Sequence, residues 1–266
     1  MRYELGFIGA GNMAEAIARA AIDKDIVATN QMIVADPAEP RRGVFAAMGV
    51  AVTTDNAAVV AQSQQVLLAI KPQTLPDIGR HLAAVDAPSQ IINSIMAGIA
   101  TQKIEDVIGK PARIVRIMPN TPLMVGVGMA GVARSLHAQP GDEELAMRLF
   151  GAAGEAIFVE EAALDAITAV AGSGPAYVFY LAEAMQQAAT ELGLSAHAAL
   201  LVEQTILGAA MLLKQSHDPP AELRRKVTSP GGTTEAAIKH LDGNSTTAVF
   251  VNAIKAAEKR SNELGS

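Results

Sequence analysis

Short apolar runs alternate with helical segments through about the first 160 residues, and this alternation limits the possible folds more than any other feature. Strands of four to six residues separated by helices are typical of βα units and of a mostly parallel sheet covered on both faces. The predicted strands are Glu4–Gly9, Gln31–Ala35, Val66–Ile70, Ile91–Ser94, Arg113–Met118 and Met129–Ala133. The predicted helices between them are Asn12–Ile22, Thr74–Ala84, Thr101–Ile108 and Glu143–Ala153. We therefore expect an α/β domain over residues 1–161.

The alternation stops near Ala162, and long alanine- and leucine-rich segments follow without a β-branched run between them. The helices predicted there are Pro175–Leu192, Ala196–Lys214, Thr233–Leu241 and Ser245–Leu264. We therefore expect an all-α second domain over residues 162–266. So much apolar helix beside a separate sheet domain would expose more apolar surface than a monomer tolerates, so we expect at least a two-fold homodimer.

Charge and composition exclude several classes of partner and site. The chain has 21 basic and 27 acidic residues, a net charge of −6, which is the wrong sign for binding nucleic acid or anionic lipid. Because there is no cysteine, disulfides, thiolate metal sites and thiol nucleophiles are excluded. We find neither a signal-peptide layout nor a run of 18 apolar residues without polar interruption. We therefore expect a cytoplasmic protein with no nucleic-acid or membrane partner.

The first strand is followed directly by a glycine-rich turn, Gly9-Ala10-Gly11-Asn12-Met13, which we call the glycine loop. Gly9 suits a tight turn, Gly11 lets the backbone approach a pyrophosphate, and Ala14 lets the helix pack on the strand. The N–H groups at the start of the helix would attract the anion. The alternative is an ordinary strand-to-helix turn, but the position between a strand and an amphipathic helix favours dinucleotide binding.

The second strand ends in Asp36, near the spacing expected for the acid that binds a ribose 2′-hydroxyl. A carboxylate there would repel a 2′-phosphate, which favours NADH over NADPH. Arg41 and Arg42 follow closely and could reach a phosphate, so both cofactors stay open. The alternative is that Asp36 caps the turn ahead of Pro37.

Three later loops follow predicted strands, where an open α/β sheet binds its ligands. They are Ala69-Ile70-Lys71-Pro72, Met96-Ala97-Gly98 and Met118-Pro119-Asn120-Thr121-Pro122. Taken singly, each of these residues has an alternative interpretation at least as good as a binding role: Lys71 as a solvated loop lysine, and Asn120 as a turn residue before Thr121-Pro122. We expect cofactor and substrate to meet at these loops.

Five motifs occur in order along nearly the whole chain: Ile8-Gly9-Ala10-Gly11-Asn12-Met13, Ala69-Ile70-Lys71-Pro72, Met118-Pro119-Asn120-Thr121-Pro122, Gly172-Ser173-Gly174-Pro175-Ala176-Tyr177 and Val227-Thr228-Ser229-Pro230-Gly231-Gly232-Thr233-Thr234. In that order they resemble the pyrroline-5-carboxylate reductase family. The resemblance implies an N-terminal Rossmann-type domain followed by an all-α C-terminal dimerisation domain, a layout like that of 6-phosphogluconate dehydrogenase. It implies reduction of 1-pyrroline-5-carboxylate to L-proline with NADPH or NADH, the last step of proline biosynthesis, in a homodimer that can assemble into a decamer.

The resemblance also implies roles for individual residues. Thr234 and Ser173 are the predicted catalytic residues, and the remaining assignments concern binding. The predicted cofactor-binding residues are Gly9, Ala10, Gly11, Asn12, Met13, Asp36, Asn56, Ala69, Ile70, Lys71, Pro72, Ala97 and Gly98. The predicted substrate-binding residues are Asn120, Ser173, Gly231, Gly232, Thr233 and Thr234. Two departures stand out: Asp36 replaces a residue that is often neutral in NADPH-preferring relatives, and Met96 replaces an alanine and is expected to reshape the nicotinamide region.

The residue types agree with imine reduction. A protonated cyclic imine accepts a hydride readily, so the protein has mainly to align C4 of the nicotinamide with the imine carbon of the substrate and exclude water. The five histidines are scattered and lack metal-ligand spacing, so no metal is expected. Gly231, Gly232 and the helix start at Thr233 suit a carboxylate site, although a plain helix cap is the alternative. Ser173 is likewise expected to cap a helix that starts near Pro175.

Three rival functions stay open. A β-hydroxyacid dehydrogenase uses a Lys-x-x-Asn pattern between its domains, whereas the only such spacing here, Lys259 and Asn262, lies at the extreme C-terminus. A related imine or ketone reductase with a different ring substrate is the hardest alternative to exclude from the sequence. A non-catalytic dinucleotide-binding protein would have a decayed substrate loop, but Ser229–Thr234 is intact.

Overall fold

The first unit of the protein is an eight-stranded sheet covered by helices. The structure, a computed structural model, describes residues 1–86 and 89–265. The strands are β1 (Tyr3–Ile8), β2 (Met32–Ala35), β3 (Ala51–Thr53), β4 (Ser63–Leu68), β5 (Ile91–Ser94), β6 (Arg113–Pro119), β7 (Gly128–Arg134) and β8 (Gly154–Phe158). The helices along the chain are α1 (Asn12–Asp23), α2 (Glu39–Ala47), α3 (Asn56–Gln62), α4 (Leu75–Leu82), α5 (Thr101–Ile108), α6 (Glu144–Ala152), α7 (Leu164–Ile167), α8 (Gly174–Glu191), α9 (Ala198–Gln215), α10 (Pro220–Lys226), α11 (Thr233–Gly243) and α12 (Thr246–Gly265).

The strand order is β3-β2-β1-β4-β5-β6-β7-β8, and all neighbours are parallel except β6 and β7. The predicted mostly parallel sheet is therefore confirmed. Successive residues of β1 enter different cores: Phe7 belongs to the cluster on one face and Ile8 to the cluster on the other. Both are 0–1% exposed, because helices cover both faces of the sheet.

All six predicted strands are present, but the sequence did not predict β3 or β8. β3 has three residues, and β8, the outermost strand, leaves Ile157 and Phe158 each 42% exposed. Neither strand carries the continuous apolar run by which a buried parallel strand is recognised. The sequence also did not predict the short helices α2, α3, α7 and α10.

A buried arginine joins several elements of the first unit. Arg116 on β6 is 6% exposed and pairs with Glu161 at 3.3 Å and Asp165 at 3.5 Å. Glu161 also accepts hydrogen bonds from the N–H and hydroxyl of Thr101, and Asp165 accepts one from Ser261 of α12. Since a buried charge must be paired, these acids fix the helical segments around Arg116.

The chain forms two compact units. The first comprises Met1–Ser173 together with the C-terminal residues from Ala257 on, and the second is Gly174–Ala256, which is entirely helical. In the second unit α8 and α9 pack against each other, yet only Ala198 and Val202 among its apolar residues are buried. The assignment of separate roles to residues 1–161 and 162–266 stays a prediction.

Candidate functional site

The loops predicted to bind the cofactor meet at one edge of the sheet. Because β1 to β6 are all parallel, their carboxyl ends lie on the same side, where open sheets bind ligands. The residues at these ends are the glycine loop after β1, Asp36 after β2, Asn56 opening α3 after β3, Ala69–Pro72 after β4, Ala97 and Gly98 after β5, and Asn120 after β6. The fold therefore brings together side chains that are up to about a hundred residues apart in the sequence.

The two glycines of the glycine loop have different structural roles. Gly9 has φ +100°, and a Cβ there would lie 2.5 Å from the carbonyl oxygen of Ala69, so the fold itself requires glycine. Gly11 is the N-cap of α1 with an ordinary φ of −67°, and no atom lies within 4 Å of where its Cβ would be. The space in front of Gly11 is thus open. The N–H groups of Asn12 and Met13 at the helix start have no intrahelical acceptor, so they suit a pyrophosphate.

Asp36 ties the glycine loop to the turn between β2 and α2. Its Oδ2 accepts a hydrogen bond from the N–H of Ala10 at 2.8 Å, and its Oδ1 accepts one from the N–H of Ala38 at 2.8 Å. The turn-capping role left open by the sequence is therefore present. Each carboxylate oxygen keeps a further lone pair, so contact with a ribose hydroxyl remains compatible with this geometry.

Arg41 holds the other side of Ala10, a contact that sequence reasoning missed. Its Nε donates to the carbonyl oxygen of Ala10 at 2.6 Å, and its terminal nitrogen pairs with Glu15 at 3.0 Å. Glu15 also accepts two hydrogen bonds from Arg19, which hold the pKa of Glu15 below its ordinary value; burial opposes this effect, and Arg41 adds to it. Glu15 and Arg19 have helical i,i+4 spacing, but no pattern links residue 41 to residue 10.

The loops after β4 and β5 border an apolar cavity of about 430 Å³ in the first unit, whose lining includes Pro72, Leu75, Ala97, Ile99 and Leu264. Lys71 is exposed and precedes a short 3₁₀ turn. Gly98 has φ +72° and lies close to Leu264. Met96 is 2% exposed and belongs to a core cluster, so it lies beneath the loop as part of the protein core.

Asn120 replaces a missing backbone donor. Pro175 has no N–H, so in α-helical register the carbonyl of Ala171 has no partner four residues later. The Nδ2 of Asn120 donates to that carbonyl at 3.0 Å, and its Oδ1 accepts from the N–H of Met129 at 2.8 Å. Asn120 is 9% exposed and thus braces both the loop after β6 and the helix that approaches Pro175.

The predicted helix start near Pro175 is confirmed, since α8 begins at Gly174, whereas the capping role of Ser173 stays a prediction. Ser173 has helical dihedral angles, and its N–H donates to the carbonyl of Thr168 at 2.8 Å, five residues earlier. A π-helical turn over Thr168–Gly172 therefore precedes Ser173, and α8 begins at the next residue, Gly174.

The predicted substrate loop lies in the second unit, between α10 and α11. Gly231 has φ +71°, and its N–H donates to Glu235 at 2.8 Å, while the N–H of Gly232 donates to the carbonyl of Ser229 at 3.0 Å. These two N–H groups are therefore used within the loop. What remains is the first turn of α11, where the N–H groups of Thr233 and Thr234 have no intrahelical acceptor.

The helix that leads into this loop carries surface ion pairs. Lys226 donates to the carboxylate of Asp218, which holds the pKa of Asp218 below and the pKa of Lys226 above its ordinary value. The hydrogen bonds between Glu222 and Arg225 likewise hold the pKa of Glu222 below its ordinary value and the pKa of Arg225 above it. These groups are exposed, so they hold α10 together without forming a reactive centre.

Two further findings concern metals and membranes. Within residues 1–86 and 89–265, no group of three or more histidine, cysteine or acidic residues could hold a metal ion. Two helical stretches, Glu161–Glu191 and Ser195–Gln215, are apolar and long enough to cross a membrane, and only 11% of each apolar window is buried. The expected absence of a membrane partner therefore stays a prediction.

Comparison with known proteins places both halves of the chain. The family model for pyrroline-5-carboxylate reductase dimerisation matches residues 161–264, and that for NADP oxidoreductase, coenzyme F420-dependent, matches residues 4–98. The pyrroline-5-carboxylate reductase of Pseudomonas aeruginosa is 42% identical over 98% of this chain and 96% of that protein. The one from Methanosarcina acetivorans is 38% identical over 98% of both.

Solved structures agree over the full length. A pyrroline-5-carboxylate reductase from Coxiella burnetii superposes with a TM-score of 0.89 at 36% identity and covers 100% of both chains. The pyrroline carboxylate reductase of Plasmodium falciparum, solved with NADP bound, gives a TM-score of 0.84 at 29% identity over 99% of this chain and 98% of that one.

Proposed function

This chain belongs to the pyrroline-5-carboxylate reductase family, and we infer that it reduces 1-pyrroline-5-carboxylate to L-proline with NADPH or NADH. The observation that carries this conclusion is a glycine loop open at the sheet edge, in a chain that matches these reductases over its full length. The enzyme is an oxidoreductase of proline biosynthesis that acts on a C=N bond, and it forms homo-oligomers.

We propose that the cofactor binds at the carboxyl ends of the parallel strands, where it supplies the hydride when bound. The open space before Gly11 and the free N–H groups of Asn12 and Met13 fit a pyrophosphate, and Asp36 fits a ribose. Ala69–Pro72, Asn56, Ala97 and Gly98 would flank the rest of the molecule. The task of these residues is to orient the cofactor and exclude water from it.

We propose that the start of α11 holds the substrate carboxylate. The N–H groups of Thr233 and Thr234 lie at the positive end of the helix dipole, and the Thr234 hydroxyl can donate to the carboxylate or accept from the ring N–H. Glu235 engages Gly231 and leaves those two N–H groups available. The protonated imine brings its own proton, so Thr234 and Ser173 need only position it for hydride attack at the carbon of its C=N bond, after which the nitrogen retains that proton as an amine.

We propose that residues 162–266 form the dimerisation and substrate-binding segment, that a second copy rather than a lipid bilayer covers the apolar faces of α8 and α9, and that dimers assemble into a decamer. The match of residues 161–264 to a dimerisation model supports the first two points. We also propose a cytoplasmic location, which the complete lack of cysteine supports.

Thr234→Ala tests the substrate role, with Thr228→Ala as its matched control. The Thr228 hydroxyl donates to the carbonyl of Arg224 at 2.6 Å, so it is engaged with the last turn of α10 at the other end of the loop. Loss of one hydrogen bond to a charged group costs roughly 1.5–3 kcal/mol, so we expect kcat/KM for the imine to fall by about 10- to 150-fold in Thr234→Ala only. The KM for the cofactor should not change.

Absorbance at 340 nm, followed with NADPH and with NADH, reports these rates. An unchanged kcat/KM in Thr234→Ala would remove Thr234 from the substrate site. Wild-type turnover of a different cyclic imine or of a β-hydroxyacid in preference to pyrroline-5-carboxylate would favour the related reductases, and binding of the cofactor without turnover would favour a non-catalytic protein.

A further inference from the structure

Two side chains hold opposite sides of the same residue in the glycine loop. Asp36 accepts from the N–H of Ala10, and Arg41 donates to its carbonyl oxygen at 2.6 Å. Ala10 is fully buried, so neither of its polar groups is left without a partner. Asp36 lies in the turn after β2 and Arg41 in the first turn of α2. Together they set the orientation of the two peptide planes that flank Ala10.

The Arg41 contact determines where the next N–H points. In a trans peptide the carbonyl and the following N–H point to opposite sides of the chain. Holding the Ala10 carbonyl toward Arg41 thus directs the N–H of Gly11 away from Arg41. Gly11 is the exposed N-cap of α1, so this N–H joins those of Asn12 and Met13 at the helix start.

The guanidinium of Arg41 is itself held in place. Glu15, on the first turn of α1, pairs with it at 3.0 Å. The side chain of Arg41 is 29% exposed and that of Glu15 is 23% exposed. The guanidinium of Arg41 therefore links the glycine loop to α1: its Nε donates to Ala10 and its terminal nitrogen donates to Glu15. An arginine used in this way is occupied before any cofactor arrives.

We propose that Arg41 is a positioning residue for cofactor binding: it holds the glycine loop so that its N–H groups point at the pyrophosphate, and it does not read the 2′-phosphate. This inference rests on the proposed cofactor site at the glycine loop. Since NADPH and NADH share the pyrophosphate, Arg41 serves both equally. Arg41 thereby acts on affinity and leaves the discrimination between the two cofactors to other residues.

Arg41→Gln tests this role, with Arg19→Gln as the matched control. Arg19 also pairs with Glu15 and carries the same charge, but it does not touch the glycine loop. Isothermal titration calorimetry of the full-length enzyme with NADPH and with NADH should show both Kd values raised about tenfold in Arg41→Gln, by similar factors, and within about twofold of wild type in Arg19→Gln. The kcat at saturating cofactor should be unchanged.

The ratio of mutant to wild-type Kd should also stay the same between about 50 mM and 500 mM salt. Salt screens the attraction between an exposed arginine and a phosphate, but it does not alter the orientation of a peptide group that Arg41 holds by a hydrogen bond. Three results would overturn the proposal: unchanged Kd values in Arg41→Gln, a loss confined to NADPH, or a ratio that approaches one at high salt. If Arg41→Gln does not fold, Arg41→Lys keeps one donor and should show an intermediate loss for both cofactors. A wild-type enzyme that binds neither cofactor would instead refute the proposed site.

Discussion

The two units differ in where their apolar side chains go. The first unit places them in two clusters on either face of its sheet, with residues such as Phe7, Phe45 and Ile92 fully buried. The helices of the second unit leave residues such as Phe179 and Leu212 more than 60% exposed. The first unit thus supplies both surfaces of its own core. The second supplies one surface, and we propose that another copy of the chain supplies the other.

The largest effect is expected where this difference is greatest. Leu212→Glu puts a charge on the exposed face of α9, where Leu212 is 62% exposed in the single chain. A charge buried in a subunit interface costs several kcal/mol, so we expect sedimentation to show monomers and activity to fall by at least about 100-fold. Leu136→Glu is the control, since Leu136 in the first unit is 90% exposed.

Two outcomes would weaken the comparison. If Leu212→Glu keeps the assembly of the wild type, α9 is not at the interface. If the wild-type chain instead inserts into lipid vesicles and Leu212→Glu does not, the apolar helices meet a membrane.

The second prediction concerns the first unit alone. Gly9→Ala places a side chain at φ +100° against the carbonyl of Ala69, so urea denaturation should show a loss of about 3 kcal/mol in the free energy of unfolding. Gly11→Ala has open space and an ordinary φ, so its stability should stay within about 0.5 kcal/mol of wild type while the KM for the cofactor rises. Equal stability losses in both variants would show that the two glycines do not divide fold and function as we describe.

The smallest effect is expected at Asp36. Asp36→Ser removes the negative charge that we propose lies beside the ribose, so the ratio of kcat/KM for NADPH to that for NADH should rise by about tenfold, which corresponds to roughly 1.4 kcal/mol. Asp55→Ser is the control, because Asp55 caps α3 through the N–H of Ala57 at 2.8 Å, as Asp36 caps its own turn through Ala38. If kcat/KM for NADPH and kcat/KM for NADH change by the same factor, Asp36 serves only as a cap of its turn.

The sequence predicted the parts of the site that are built from consecutive residues. A glycine loop between a strand and a helix has a pattern that a reader can recognise, and so does the loop at Ser229–Thr234. The contacts of Arg41 with Ala10 and of Asn120 with Ala171 join residues 31 and 51 positions apart, and no period or motif encodes them. The helix start near Pro175 was predictable from Ser173 and the proline, but the π-helical turn before Ser173 was not, because no sequence pattern marks its i+5 hydrogen bond.

The contacts of Asn120 also have a consequence for mutation. One amide side chain serves two backbone groups in separate segments, the carbonyl of Ala171 and the N–H of Met129. A substitution that shortens this side chain therefore removes the partner of both groups in one step, so position 120 has less freedom to vary than a turn residue whose side chain points to solvent.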